Sequence, residues 1–143
     1  MILIGVPGAG KTTFYQERFA STHVRISLDE VTSRSKLEAK VNDCIAAKNS
    51  FVVDNTNVRR QDREWFVRTA RSAGYRVVVY VFRLELRAAI KRNSLRKGKQ
   101  VIPVPALIRI WKGMEQPDLK EGFGELSTVN IQKDGTYTIE PYV

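Results

Sequence analysis

Short apolar runs alternate along the chain with longer stretches in which apolar residues recur at helical spacing. Met1-Ile2-Leu3-Ile4, Val24-Arg25-Ile26-Ser27-Leu28, Phe51-Val52-Val53-Asp54 and the stretch from Arg76 to Phe82 have the length and β-branched content of strands. The last of these encloses Val77-Val78-Val79-Tyr80-Val81, apolar on both faces, and is expected at or near the centre of a parallel sheet. Helices are expected between the strands. One opens at Thr12 and carries Phe14, Phe19 and Ala20; one runs from Lys36 to Lys48 with Leu37, Val41, Cys44 and Ile45 on one face. A third covers about 61 to 72, with Trp65, Phe66, Thr69 and Ala73 facing inward and Gly74 ending it. Leu86 to Arg96 is expected to be helical with a basic side, since Arg92 and Arg96 are four apart, and Gly98 and Val101 to Pro105 break it. A final helix starts at Pro105 and is expected to bury Leu107, Ile108, Trp111 and Met114. Thr128 to Ile131 and Thr136 to Ile139 form a strand and its hairpin return around Asp134-Gly135.

The length, 143 residues, fits a single domain spanning 1–143 with a core that needs no staples. Hydrophobic residues at 43% and charged residues at 27% are globular proportions, and no window approaches the roughly 18 apolar residues of a membrane span. Met1 begins the first strand, so no signal peptide is expected, and the single cysteine, Cys44, has no partner for an internal disulfide. The expected setting is cytoplasmic, or the nucleus in a eukaryotic cell, with no membrane partner. A net charge of +9 changes the picture. Basic residues crowd between Arg59 and Lys112, opposed there only by Asp62, Glu64 and Glu85, a distribution that attracts polyanions.

The chemistry begins at the end of the first strand. Gly5-Val6-Pro7-Gly8-Ala9-Gly10-Lys11-Thr12 is a complete P-loop pattern, in which a backbone nearly free of side chains can curl around phosphate. Gly8, Ala9, Gly10, Lys11, Thr12 and Thr13 are the expected nucleotide-binding residues. Lys11 adds positive charge, and the hydroxyl of Thr12 is placed to ligate Mg²⁺ at the start of a helix whose free amides favour an anion. Asp54 closes an apolar strand and is the second expected metal residue. Asp29 follows the second strand, at the sheet edge where ligands of open α/β sheets collect, and is the expected general base, with a helix cap as its alternative. Arg92 and Arg96 could close over a transferring phosphoryl group. The expected fold is α/β, a P-loop kinase of three α/β/α layers with a mostly parallel sheet of about five strands, a short basic lid helix and a C-terminal hairpin. Asp134-Gly135-Thr136 resembles the tail of a phosphatase motif, but Gln132 stands at the nucleophile's position and cannot form a phosphoaspartate, so it reads as a turn. No His/Cys cluster has zinc spacing.

Several of these stretches together resemble the 5′-kinase domain of polynucleotide kinases. They are the P-loop through Thr13-Phe14, Val53-Asp54-Asn55-Thr56-Asn57 with Arg63 in the next helix, Arg92-Asn93 followed by Arg96, Val101 to Pro105, and Glu121-Gly122-Phe123. The likeness is greatest to the kinase domain of animal DNA-repair polynucleotide kinase/phosphatases, and phage enzymes are more distant. The resemblance implies transfer of the γ-phosphoryl of ATP, with Mg²⁺, to 5′-hydroxyl ends of DNA or RNA. It places Asp29 on the family's base, Lys11 and Thr12 on its nucleotide and metal residues, and Arg96 on a lid arginine that contacts ATP phosphates. Arg92 falls on the arginine of the Arg-Asn pair, and Arg34, Asn57 and Arg63 fall to the acceptor side. Two departures stand out: Ser27-Leu28-Asp29 where the family writes Asn-Arg-Asp, and Thr32 where phage enzymes carry an arginine that helps hold the acceptor's phosphate. Arg34 or Arg63 is the expected substitute. The family's phosphatase domain has no counterpart, which leaves room for a separate phosphatase or ligase as partner. A small-metabolite or nucleotide kinase and a non-catalytic ATP-dependent nucleic-acid-binding module are the alternatives.

Overall fold

The computed structural model describes residues 1–142. Its strands are β1 (Ile2–Ile4), β2 (Val24–Ile26), β3 (Phe51–Asp54), β4 (Val78–Phe82), β5 (Glu125–Ile131) and β6 (Tyr137–Pro141). Its helices are α1 (Lys11–Arg18), α2 (Arg34–Ala46), α3 (Arg60–Ser72), α4 (Leu86–Ser94) and α5 (Val104–Lys112). The strands form one sheet in the order β2-β3-β1-β4-β5-β6, parallel throughout except for β6, which pairs antiparallel with β5. This is the α/β P-loop kinase fold, with the five parallel strands expected and the sixth returning antiparallel as the expected C-terminal hairpin.

The period-two alternation of the strands divides the core. Ile2, Ile4, Phe51, Val53, Val79 and Val81 point to one side, where Leu37, Val41 and Cys44 of α2 and Phe66, Val67 and Ala70 of α3 cover them. Leu3, Val52 and Phe82 point to the other, against Phe14 of α1, Ala89 of α4 and Leu107 of α5. The short central strand β1 is therefore buried on both faces. From its carboxyl end the chain crosses to β2 at the sheet edge, returns through β3, and then passes to β4 on the far side of β1. The glycine loop after β1 thus lies where strand order reverses, the usual ligand crevice of an open sheet. Phe14 fixes the helix that follows: its ring meets Tyr80, Phe82 and Tyr137 edge-on with centroids 5.2, 5.2 and 5.3 Å away. Each such pair is worth about 0.5–1.5 kcal/mol beyond area burial.

Several expectations are corrected. The inward face of α3 is Arg63, Phe66, Val67 and Ala70, with Ala73 exposed and Trp65 half-buried. That face includes a charged residue, which a search for apolar spacing passes over. Trp111 is not core: it is 37% exposed, its indole N–H donating to the Leu84 carbonyl at 2.9 Å. Strand β2 ends at Ile26, so Ser27 and Leu28 belong to the turn that carries Asp29.

Candidate active site

The loop between β1 and α1 bends through left-handed glycines, Gly8 at φ 79° and Gly10 at φ 96°. At Gly10 a Cβ would also lie 2.6 Å from Cδ1 of Ile131, which would have to swing aside, and the left-handed φ adds a backbone strain that glycine alone avoids. Ala9 faces the apolar cluster and can offer a ligand only its backbone, and Thr13 is exposed in the first turn of α1. Lys11 is buried, with Nζ donating to the carbonyls of Gly5 at 2.8 Å and Val6 at 2.9 Å. Desolvation lowers its pKa from its ordinary 10.5 to about 8, opposed by the charge of Asp54, aided by that of Arg96 and opposed again by Asp29.

Helix α4 roofs the loop. Nε of Arg92 donates to the Gly8 carbonyl at 2.7 Å, and Cδ of Arg96 lies 3.6 Å from where a Gly8 side chain would begin. Arg96 lies just past the end of α4 at Ser94, at the start of the segment that follows. That segment is tied down by Asn93, whose buried amide donates to the Ile102 carbonyl at 2.6 Å and accepts the Ile102 N–H at 3.0 Å. Nη1 of Arg96 is buried and has no hydrogen-bond partner. A buried, unsatisfied guanidinium N–H beside a glycine cradle, with Lys11 and Arg92 adjoining, fits a polyphosphate.

The metal-type pair is assembled across the sheet. Thr12 Oγ1 donates to Oδ2 of Asp54 at 2.8 Å, and the Asp54 side chain is only 2% exposed. A hydroxyl backed by a buried carboxylate suits the hard oxygen chemistry of Mg²⁺. Among the described residues, no group of three or more His, Cys, Asp or Glu side chains could hold a metal by itself.

Arg25 links this pair to the expected base, and sequence reasoning missed it. Its Nε donates to Asp54 Oδ2 at 2.8 Å, its Nη2 to Thr12 Oγ1 at 3.3 Å and its Nη1 to Glu30 Oε1 at 3.0 Å. Nη2 also lies 3.7 Å from Oδ2 of Asp29. Burial disfavours the charge of Arg25, but hydrogen bonds and attraction from Asp54 and Glu30 outweigh it and raise its pKa. Desolvation raises the pKa of Glu30, but hydrogen bonds from Lys40 and Arg25 overcome it and the net shift is downward. The available signal was an arginine between Val24 and Ile26 in the run that ends just before the acidic pair Asp29-Glu30. Asp29 itself is 85% exposed, its N–H donating to Ser27 Oγ at 3.1 Å. Asn55 steadies the same turn, its Oδ1 accepting the Leu28 N–H at 2.9 Å.

The expected acceptor residues do not converge. Arg63 is fully buried, paired through Nε with Glu121 Oε1 at 2.9 Å and through Nη2 with Oε2 at 3.0 Å, while Nη1 donates to the Asn57 carbonyl at 2.8 Å. Asn57, at φ 49°, is buried and its amide donates to the Leu3 carbonyl at 2.9 Å. Both are committed to the scaffold under the loop and have no side-chain group facing an acceptor. Arg34 is exposed, 3.6 Å from Glu38 and with its guanidinium 4.6 Å from the Phe66 ring centroid.

Residues 32–116, more than half of the chain, match the family described as an AAA domain (AAA_33). The chain belongs to this AAA domain family. It is also similar to the bifunctional polynucleotide phosphatase/kinase of Schizosaccharomyces pombe, at 20% identity over 135 residues. That alignment takes in 90% of this chain but 33% of the relative, so the chain spans a third of that relative's length. Among solved structures, a gluconokinase from Sinorhizobium meliloti 1021 superposes with a TM-score of 0.64 at 16% identity, over 92% of this chain and 82% of that one. Kti12 of Chaetomium thermophilum, solved with ADP-AlF3, gives 0.64 at 16% identity over 94% and 91%. These likenesses establish the P-loop kinase fold for this AAA-family domain.

Proposed function

We propose that this domain is an ATP-dependent polynucleotide 5′-hydroxyl kinase that transfers the γ-phosphoryl of ATP to 5′-hydroxyl ends of DNA or RNA. The observation that carries the reading is the junction at Arg25: one guanidinium touches the Thr12–Asp54 pair and lies 3.7 Å from the exposed carboxylate of Asp29. A solvent-exposed carboxylate one guanidinium away from the Thr12–Asp54 pair supports the reading of Asp29 as the proton acceptor. The similarity to the fission-yeast phosphatase/kinase over 90% of the chain and the net charge of +9 support a polyanionic acceptor.

In this reading the loop amides and Lys11 bind the nucleotide's phosphates, for which Lys11 exchanges the carbonyls of Gly5 and Val6 for an anionic oxygen. Arg92 and the unsatisfied Nη1 of Arg96 cover the same phosphates from above and stabilise charge as it spreads over the transferring group. Thr12 and Asp54 would hold Mg²⁺, which neutralises phosphate charge. Asp29 accepts the proton of the attacking hydroxyl. A loose phosphoryl-transfer transition state asks chiefly that the base be oriented toward the hydroxyl, and the Ser27 and Asn55 contacts hold the turn that carries Asp29.

The test is transfer of labelled γ-phosphate from ATP to 5′-hydroxyl DNA and RNA oligonucleotides, run beside gluconate and nucleosides. Labelled polymer, abolished by Asp29→Asn, is the expected result. Label on the small molecules alone would overturn the assignment in favour of a metabolite kinase; nucleotide binding without any transfer would favour a binding module.

A further inference from the structure

The side chain of Arg25 occupies ground that the proposed metal pair also claims. Thr12 Oγ1 spends its single proton on Asp54, which leaves two lone pairs, and Nη2 of Arg25 donates into this same oxygen at 3.3 Å. Nε of Arg25 and the Thr12 hydroxyl both use Oδ2 of Asp54, each at 2.8 Å. The buried carboxylate of Asp54 is thus already neutralised by a protein cation. On its other side the guanidinium has anchors away from the loop, Glu30 at 3.0 Å and Asp29 at 3.7 Å. Lys40 supports them, donating to Glu30 Oε2 at 3.0 Å and to the Arg25 carbonyl at 2.9 Å.

We propose that Arg25 is a built-in competitor for the divalent cation at Thr12 and Asp54, and that its guanidinium moves between that pair and the Asp29–Glu30 side according to whether the cation is bound. Like charges repel strongly at such separations in a partly desolvated site, so the cation binds against Arg25 and Arg25 leaves against the cation. The side chain then couples the two halves of the site. Without a cation Arg25 spans Asp54 and Glu30, and with one it gives up Asp54 and Thr12 and is left with Glu30 and Asp29 as its only carboxylate partners. Arg25 acts in this way as a positioning residue, and Glu30 as the anchor of its released state. The inference rests on the reading of Thr12 and Asp54 as a Mg²⁺ pair.

The measurement is calorimetric titration of ADP into the full chain over a series of Mg²⁺ concentrations, which gives the half-saturating Mg²⁺ for tight nucleotide binding without any turnover. Arg25→Gln removes the competing charge and is expected to lower this concentration at least about fivefold. Glu30→Gln keeps the Arg25 charge but removes the anchor on which Arg25 depends most once Asp54 is given up, and is expected to raise it about twofold or more. Half-saturating Mg²⁺ within about twofold of the parent in Arg25→Gln, or raised, overturns the proposal. Should Arg25→Gln not fold, Glu30→Gln, altered at a side chain 41% exposed, decides alone: a rise supports the proposal, no change or a fall refutes it. If the unmodified chain binds no nucleotide at any Mg²⁺ concentration, the kinase reading falls and the inference with it. An unchanged Mg²⁺ requirement beside intact nucleotide binding removes the inference alone.

Discussion

Replacing Glu121 by alanine tests how the loop platform is held. Arg63 is fully buried and Glu121 5% exposed, and the two share paired contacts at 2.9 and 3.0 Å. The Asn57 carbonyl that Arg63 also holds belongs to the turn whose side chain reaches β1, and Gly5 N–H donates to the neighbouring Thr56 carbonyl at 3.0 Å. Glu121→Ala leaves the buried guanidinium without its counter-ion and removes Oε2 as acceptor of the exposed Asp118 N–H, a 3.1 Å bond that water can replace. Breaking one side of a buried pair costs about 3–5 kcal/mol, a large share of the ~5–15 kcal/mol that holds a domain together. For a chain of this size that corresponds to a fall in Tm of roughly 10–15 °C. Urea unfolding followed by circular dichroism reads the loss directly. Two controls give the number meaning. Glu125→Ala breaks the exposed Arg76–Glu125 contact at 3.6 Å and is expected to change stability by no more than about 0.5 kcal/mol. The double variant Arg63→Met with Glu121→Leu removes both charges and is expected to return to within about 1–2 kcal/mol of the parent, the residue being the lost bond to Asn57. A loss below about 1 kcal/mol in Glu121→Ala, or a double variant no better than the single, refutes the reasoning.

Three further outcomes follow from the site. Because the pKa of Lys11 is depressed from 10.5 to about 8, the unfolded chain holds more protons than the folded one between those values. Its burial penalty is therefore full below pH 8 and relieved as pH rises toward 10.5, so stability relative to Lys11→Met should increase across that window while ADP affinity of the parent falls. Parallel urea titrations and ADP binding from pH 7 to 10 check both signs. Asp29→Asn should reduce transfer by about 10²–10⁴-fold with ADP affinity within about twofold of the parent, measured by steady-state kinetics beside calorimetry. Gly10→Ala forces a side chain to φ 96° and to 2.6 Å from Ile131, and should cost about 1–3 kcal/mol in urea unfolding and weaken ADP binding.

Local patterns in the chain determined a great deal on their own. The glycine loop, the threonine and lysine after it, the apolar strand that ends in Asp54 and the basic helix over the loop depend on residue identity at short spacing, and the element order followed from hydrophobic period alone. Each was legible because the backbone imposes those periods within one element. The antiparallel return after Asp134-Gly135 was legible for the same reason, whereas the sheet order and the function of individual charges depend on which elements become neighbours, and no short window carries that. Arg63 read as a cation free to hold the acceptor's phosphate; only docking of α3 beside Glu121 buried it and committed it to the scaffold. Arg25 read as the polar position of an alternating strand, and became the link between Asp54, Thr12, Glu30 and Asp29 only when β2 was laid beside β3. Charge pairing across 29 positions, as between Arg25 and Asp54, depends on a chain already folded, and so tertiary structure alone decided which cations face a ligand and which hold the scaffold.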